Sequence, residues 1–270
     1  MTLDTTDSAA ASVPAFPRAF VRRVPLGRAD GFAGRSIVRE SDLDGVPFAA
    51  QRYLRFMGVP GRLPAQALWA RCSGSFRRSR TSRPGRCETW QYNQATPVIR
   101  LFRMRVRFGP LMLTGWDTYE RGHGRMRGTV LGVPVVDGHG ATFDTSEQVT
   151  WLNDAVLMAP SMLLHPAVRW SDGADPNSFV LDFTDAGRTV RAEVRTDERG
   201  APLNFATDDR YADLPGGLVR ARWSTPVEGW TVHSGRPCFT RASAVWQLPD
   251  GPFRYATLTP TDVIVKPGSD

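Results

Sequence analysis

Residues 102–108 read FRMRVRF. Phe102, Met104, Val106 and Phe108 alternate with Arg103, Arg105 and Arg107, a period of two that belongs to a β-strand with one oily and one charged face. In a curved antiparallel sheet the apolar set points to the concave side and the arginines point to water. Arginines there also guard the sheet against edge-to-edge association.

The same period extends outward on both sides. ALWARCSGSF and ETWQYNQA are strand-like and joined by the basic tract FRRSRTSRPGR, residues 76–86, which reads as a solvated hairpin loop. LMLTGWDTYERG follows the Gly109–Pro110 turn, and GRMRGTVLGVPVVDG follows that. Five strands in succession predict an antiparallel meander. After residue 177 the period returns in SFVLDFTDAG, RTVRAEVRTDERG, APLNFATDDRYAD, LVRARWSTPVEGW, TVHSGRPCF, RASAVWQLPDG and FRYATLTPTDVIV. Between the two halves, DTSEQVTWLNDAVLMAPSMLL predicts one long helix. Asp144 and Glu147 have the spacing of a capping box, and Pro160 marks the end. SDLDGVPFAAQRYLRFMGV predicts a short helix near the N-terminus, stopped by Gly58 and Pro60. The expected fold is mainly β: a single antiparallel, open or closed barrel-like sheet over residues 18–270, one long inserted helix and a short N-terminal helix. Residues 1–17 are expected to be a disordered leader. About a dozen strands exceed what a solid barrel needs, which points to an interior void partly closed by the helix.

Composition narrows the function. The 270 residues are 41% hydrophobic and 23% charged, with eight Trp and fourteen Phe. No run approaches the roughly 18 apolar residues of a membrane helix, and the N-terminus lacks the pattern of a secretory signal. A protein without an integral membrane segment, in the cytoplasm, is expected. Cys72, Cys87 and Cys238 form no CxxC, and His123, His139, His165 and His233 form no metal-binding pattern. No metal and no cofactor is expected. The formal charge of +7 rests on arginine, Lys266 being the only lysine. A nucleic-acid surface needs aromatics interleaved among the basic residues. Here the aromatics fall at strand positions of opposite parity, so no nucleic-acid partner is expected.

Several segments resemble the bacterial family of unknown function DUF6544 (earlier DUF6920). They are VPFAAQRYLRFMGVP, GWDTYERGHGRM, LNDAVLMAPSMLL, VRW, NFATDDRY, WSTPVEGW and AVWQLPDGPFRYATL, in order over about residues 45–266. Relatives often show Asn followed by Glu where this chain has Asn153–Asp154, and many carry N-terminal membrane helices. The resemblance implies a β-rich, open-barrel fold with an inserted helix, and it implies no activity.

Candidate chemistry rests on polar residues in apolar settings. Glu147, Thr150 and Asp154 share one helical face, with Asn153 beside them. That face is either solvated or turned to the cavity, where burial would raise an acid's pKa and fit it for proton transfer. TDDRY, residues 207–211, is either a salt-bridged turn or a means of carrying Arg210 inward. Asp117 and Tyr119 share a strand face, and Gly122 and Gly124 flag a turn or bulge. GxSxG, P-loop and GxGxxG motifs are absent. The function expected is binding of a hydrophobic small molecule in a central cavity. Trp90, Phe102, Met104, Trp116, Trp151, Asn153, Met158, Trp223 and Trp246 are the expected lining. If the protein turns over its ligand, cofactor-free cyclisation or isomerisation of the polyketide type, as in antibiotic biosynthesis, is expected. Asp154, Asp117, Tyr119 and Arg210 are then the catalytic candidates. The alternative is a lipid or lipophile carrier without turnover.

Overall fold

The computed structural model describes residues 16–25, 36–214 and 216–268. Most of the predicted leader lies outside these residues, but Phe16 is buried against Trp69. The first half of the chain forms β1 (Ala65–Phe76), β2 (Gly85–Gln94), β3 (Ile99–Phe108), β4 (Leu111–Glu120), β5 (His123–Val130) and β6 (Val133–His139). Helix α3 (Ala141–Met158) follows α1 (Arg18–Val21) and α2 (Phe48–Phe56) in chain order. The second half adds β7 (Val168–Asp172), β8 (Ser178–Asp185), β9 (Arg188–Thr196), β10 (Pro202–Thr207), β13 (Arg222–Pro226), β16 (Ala242–Leu248) and β17 (Gly251–Pro267). The hairpins β11 (Tyr211–Leu214) with β12 (Gly217–Arg220), and β14 (Trp230–His233) with β15 (Arg236–Phe239), branch from it.

Thirteen strands make one antiparallel sheet in the order β6-β5-β4-β3-β2-β1-β17-β16-β13-β10-β9-β8-β7. The β1–β17 pairing welds the two meanders together. Four hairpins turn on two residues of positive φ: Arg121–Gly122, Leu131–Gly132, Ala186–Gly187 and Ser234–Gly235. That is the mirror-image turn whose twist matches the strands. The Leu131–Gly132 turn divides the stretch read from sequence as one fifth strand into β5 and β6.

The sheet curls into a half-barrel whose edge strands, β6 and β7, do not pair. Side chains draw it together at one place. The position of a Cβ on Gly122 would lie 2.2 Å from the Ala186 Cβ, so the β4–β5 and β8–β9 turns touch. The Tyr119 hydroxyl donates to Asp185 (2.6 Å), and Arg188 reaches Asp144 (3.2 Å) and the Gly122 carbonyl (3.3 Å).

Helix α3 lies in the concavity. It begins at Ala141, three residues before the predicted cap. Asp144 sits in its first turn, and Asp144 Oδ1 accepts a hydrogen bond from the Gly124 N–H (2.7 Å) rather than capping the helix. From Ser146 to Leu157 only Thr150 is not buried, so the helix is enclosed on every side. Trp151 stacks on Phe183 with centroids 4.7 Å apart and donates its indole N–H to the Gln94 carbonyl (3.0 Å). Tyr53 of α2 donates to the Val156 carbonyl (2.9 Å) and pins the other end. The centre of the half-barrel, expected to be a void, therefore contains this helix.

A second apolar cluster covers the convex face. Trp69, Trp90, Tyr92, Ile99 and Leu101 pack there with Phe16, Phe20 and Val24. Arg103 lies across Trp90 and Trp116 at 5.6 and 5.3 Å, so this arginine is stacked rather than simply solvated.

Gly124 is where the sheet meets the helix. A Cβ on it would lie 2.2 Å from the Phe143 carbonyl oxygen and 2.6 Å from its carbon. Backbone has little room to retreat, so Gly124→Ala should lower the free energy of unfolding by about 1–3 kcal/mol in denaturant titrations. An unchanged midpoint would contradict this docking.

Candidate functional site

The alternation of β3 begins before Phe102. Arg100 has the parity of Phe102 and Met104, so it points into the concave side, against the trend of the three arginines that follow. It is fully enclosed beneath α3. Its Nε donates to Asp154 Oδ2 (2.7 Å) and its Nη1 to Glu147 Oε2 (2.8 Å). Glu147 and Asp154 are seven residues apart, two helical turns, and so reach down to one guanidinium. Asn93 Nδ2 donates to the same Asp154 oxygen (3.2 Å), and Gln91 orients Asn93 (3.1 Å). The Glu147–Thr150–Asp154 face is thus turned inward, not to solvent. Thr150 itself donates to the Ser146 carbonyl (2.8 Å).

Beside this network stand two groups without such partners. Asp117 of β4, directly opposite Phe102, is half-buried and faces Arg100 and Arg210 without an ion pair or hydrogen bond among the described residues. Arg210, just before β11, is only 8% exposed. Its guanidinium lies 4.2 Å from the Trp223 ring centroid and 5.5 Å from that of Trp246. Arg210 Nε is buried with no hydrogen-bond partner, as is Glu147 Oε1. Trp223 is held in turn by its indole N–H donating to the Tyr255 hydroxyl (3.1 Å). Asn153 is buried nearby and accepts from the Thr225 hydroxyl (2.6 Å).

Two guanidinium groups and three carboxyl groups meet here, so full ionisation would leave one excess negative charge. Burial resists that. It raises the Asp117 carboxyl despite the opposing pull of Arg100 and Arg210. Burial, with Asp117 next in importance, pushes Glu147 up to about 8. Burial alone would lower Arg100, but the Asp154 and Glu147 carboxylates reverse it and the guanidinium is held charged. Burial thus favours the protonated forms of Asp117 and Glu147, beside the guanidinium donors of Arg210.

Asp154, Asp117, Arg210, Asn153, Trp223 and Trp246 are brought to this region, and Phe102 and Met104 border it. The others are not. Tyr119 is on the concave face but spends its hydroxyl on Asp185, which together with burial raises its pKa. Trp90 and Trp116 flank Arg103 on the convex face; each has the parity opposite to Phe102. Trp151 is packed in the core, and Met158 is half-buried at the helix end. Asp208 and Asp209 form the salt-bridged turn, pairing with Arg222 and Arg220, while Arg210 alone turns inward.

Outside the reach of α3, the concave face leaves an apolar strip. Phe102, Met104, Leu113 and Met126 are half-buried along it, and glycines occupy the row Met104–Gly115–Gly128. The strip runs from Phe108 inward to Asp117. Two recesses elsewhere, of about 520 and 220 Å³, are lined around Val38 and Trp170 and around His233 and Val263; neither contains a member of the ionic cluster. Among the described residues no group of three or more His, Cys, Asp or Glu is placed to hold a metal ion, and no helix is long and apolar enough to cross a membrane.

The sequence profile of a family of unknown function, DUF6544, matches residues 36–258. The chain belongs to the DUF6544 family. No curated protein matches it. Two solved structures are similar to this DUF6544 protein. One is a LolA superfamily protein from Nitrosomonas europaea, 12% identical, TM-score 0.42, covering 86% of this chain and 94% of that one. The other is a DUF1329 family protein from Desulfovibrio piger, 12% identical, TM-score 0.41, covering 84% and 95%.

Arg100→Ala would leave two buried carboxyls facing each other without their counter-charge, and should cost about 3–5 kcal/mol in denaturant unfolding. The raised Glu147 predicts a pH effect of definite sign. The folded state keeps a proton that an unfolded carboxyl releases near its ordinary value. The stabilisation is therefore complete below about pH 4 and is lost as pH rises through about 8. Thermal midpoints should fall across that window, and Glu147→Gln should flatten the fall. An equal slope in the variant would refute the assignment.

Proposed function

We propose that this DUF6544 protein binds a hydrophobic small molecule along the concave strip, with an oxygen-bearing end of the ligand against Arg210 and Asp117. The supporting observation is Arg210: a nearly buried cation without a carboxylate partner among the described residues, lying over the rings of two neighbouring tryptophans. Buried charges are ordinarily paired. A ligand carbonyl or carboxylate accepting from the guanidinium completes this one, and the half-buried Phe102 and Met104 supply apolar contact for the rest of the molecule.

The same arrangement suits a cofactor-free isomerase or cyclase of the polyketide type. Arg210 polarises a carbonyl, Asp117 exchanges a proton with the adjacent carbon framework, and the strip holds a flexible chain in a reactive conformation. Carriage of a lipophile without turnover needs only the first of these. The cytoplasmic compartment and the absence of a nucleic-acid partner are carried as parts of this proposal.

Titration of the full chain with cis-parinaric acid, a fluorescent polyene carboxylate, tests the reading. Arg210→Met should weaken binding about tenfold to a hundredfold, the scale of one charge-assisted hydrogen bond. Asp117→Asn should leave binding within about threefold, a change of well under 1 kcal/mol, and abolish any product formation. Binding indifferent to Arg210→Met would overturn the site. Product formation unchanged in Asp117→Asn would remove Asp117 from catalysis, and binding with no product formed by the unaltered chain would leave a carrier.

A further inference from the structure

The turns at the outer end of the first meander form a single rim. The β5–β6 turn is tied to β4 by the Leu131 N–H donating to the Met112 carbonyl (3.1 Å). Gly85 packs against Val106 and Phe108, which joins the β1–β2 loop to the β3–β4 turn. Arg80 donates to Asp250 (2.8 Å) and to the Pro252 carbonyl (2.7 Å), adding the β16–β17 turn.

This rim is both basic and oily. Arg77, Arg78, Arg83, Arg86 and Arg107 are exposed and make no ion pair or side-chain hydrogen bond among the described residues. Arg86 and Arg107 stand directly opposite each other across β2 and β3, a like-charge pairing that opposes the fold. Leu111, Leu131 and Val133 project beside them at 47%, 66% and 64% exposure. Leu131 is the most telling. It occupies the first central position of its turn at φ 50°, where Asn, Asp or Gly is at ease and a leucine is strained. The chain keeps a strained backbone and an exposed leucine at the same residue, next to unneutralised arginines.

The geometry points to a docking surface for an anionic lipid bilayer. The arginines meet phosphate headgroups, relieving the Arg86–Arg107 repulsion, while Leu111, Leu131 and Val133 enter the headgroup boundary. Duplex nucleic acid satisfies the arginines but gives the three aliphatic side chains nothing to enter. The rim lies at the outer end of the apolar strip, so a lipophile could pass between bilayer and strip. The docking itself does not depend on the strip being occupied.

Sedimentation of the full chain with vesicles tests this, using phosphatidylcholine alone and phosphatidylcholine mixed equally with phosphatidylglycerol. Binding is expected to the mixed vesicles only and to fall with salt. Arg86→Glu with Arg107→Glu should lower partitioning at least about tenfold, and Arg195→Glu, a remote exposed arginine on β9, much less. Leu131→Asn should lower partitioning while leaving the thermal midpoint equal or higher, a combination that separates docking from folding. The proposal is overturned by no binding to mixed vesicles, by equal loss in Arg195→Glu, or by no effect of Leu131→Asn. Binding of duplex DNA that responds to the arginine variants, with none to vesicles, overturns it in favour of nucleic acid.

Discussion

One buried arginine holds this molecule in its shape. Arg100 projects from the start of β3 into the concavity and is gripped by two acids of the helix above it. Bringing these charges out of water is costly, and it is offset only by short, well-aligned contacts with further hydrogen bonds around them. The pairing therefore specifies more than it stabilises. It selects which face of α3 meets β3, and in register, because Glu147 and Asp154 must both reach the same guanidinium. The turn contacts of Gly122, Tyr119 and Arg188 then wrap the sheet about the helix without needing its edges to hydrogen-bond.

That solution leaves a charge imbalance with chemical consequences. Three acids and two cations under low local polarity cannot all ionise freely, so burial favours a protonated carboxyl among them. Arg100 is paired with two carboxylates, whereas Arg210 relies on aromatic rings and distant carboxyls. The first arginine belongs to the architecture; the second is available to something from outside. Met104 and Leu113 stay half-buried on the concave wall, and this portion supplies apolar surface near Asp117 and Arg210.

Much of the fold can be read in the sequence because a period of two is a strong signal in the first meander, and the residues of FRMRVRF face as their alternation demands. Less could be read at places where one feature competes with another. The turn at Leu131 is hidden in the sequence because leucine is a poor resident of left-handed backbone. Arg100 was legible by stepping the alternation back from Phe102, yet three arginines of the other parity mask it. Trp90 and Trp116 belong to the expected lining, yet strand parity puts Trp116 and Asp117 on opposite faces, Trp116 on the convex one. The burial of the Glu147–Asp154 face has no local marker, because a helix enclosed all round has no wet side to contrast with a dry one. Only the tertiary position of Arg100 explains it.

The most direct measurement is a crystal structure of the full chain with decanoate, a carboxylate on a short apolar chain. Its carboxylate should lie within hydrogen-bond distance of the Arg210 guanidinium and its alkyl chain over Phe102 and Met104. Decanoate bound elsewhere, with Arg210 closed onto Asp117 in a direct ion pair, would contradict it.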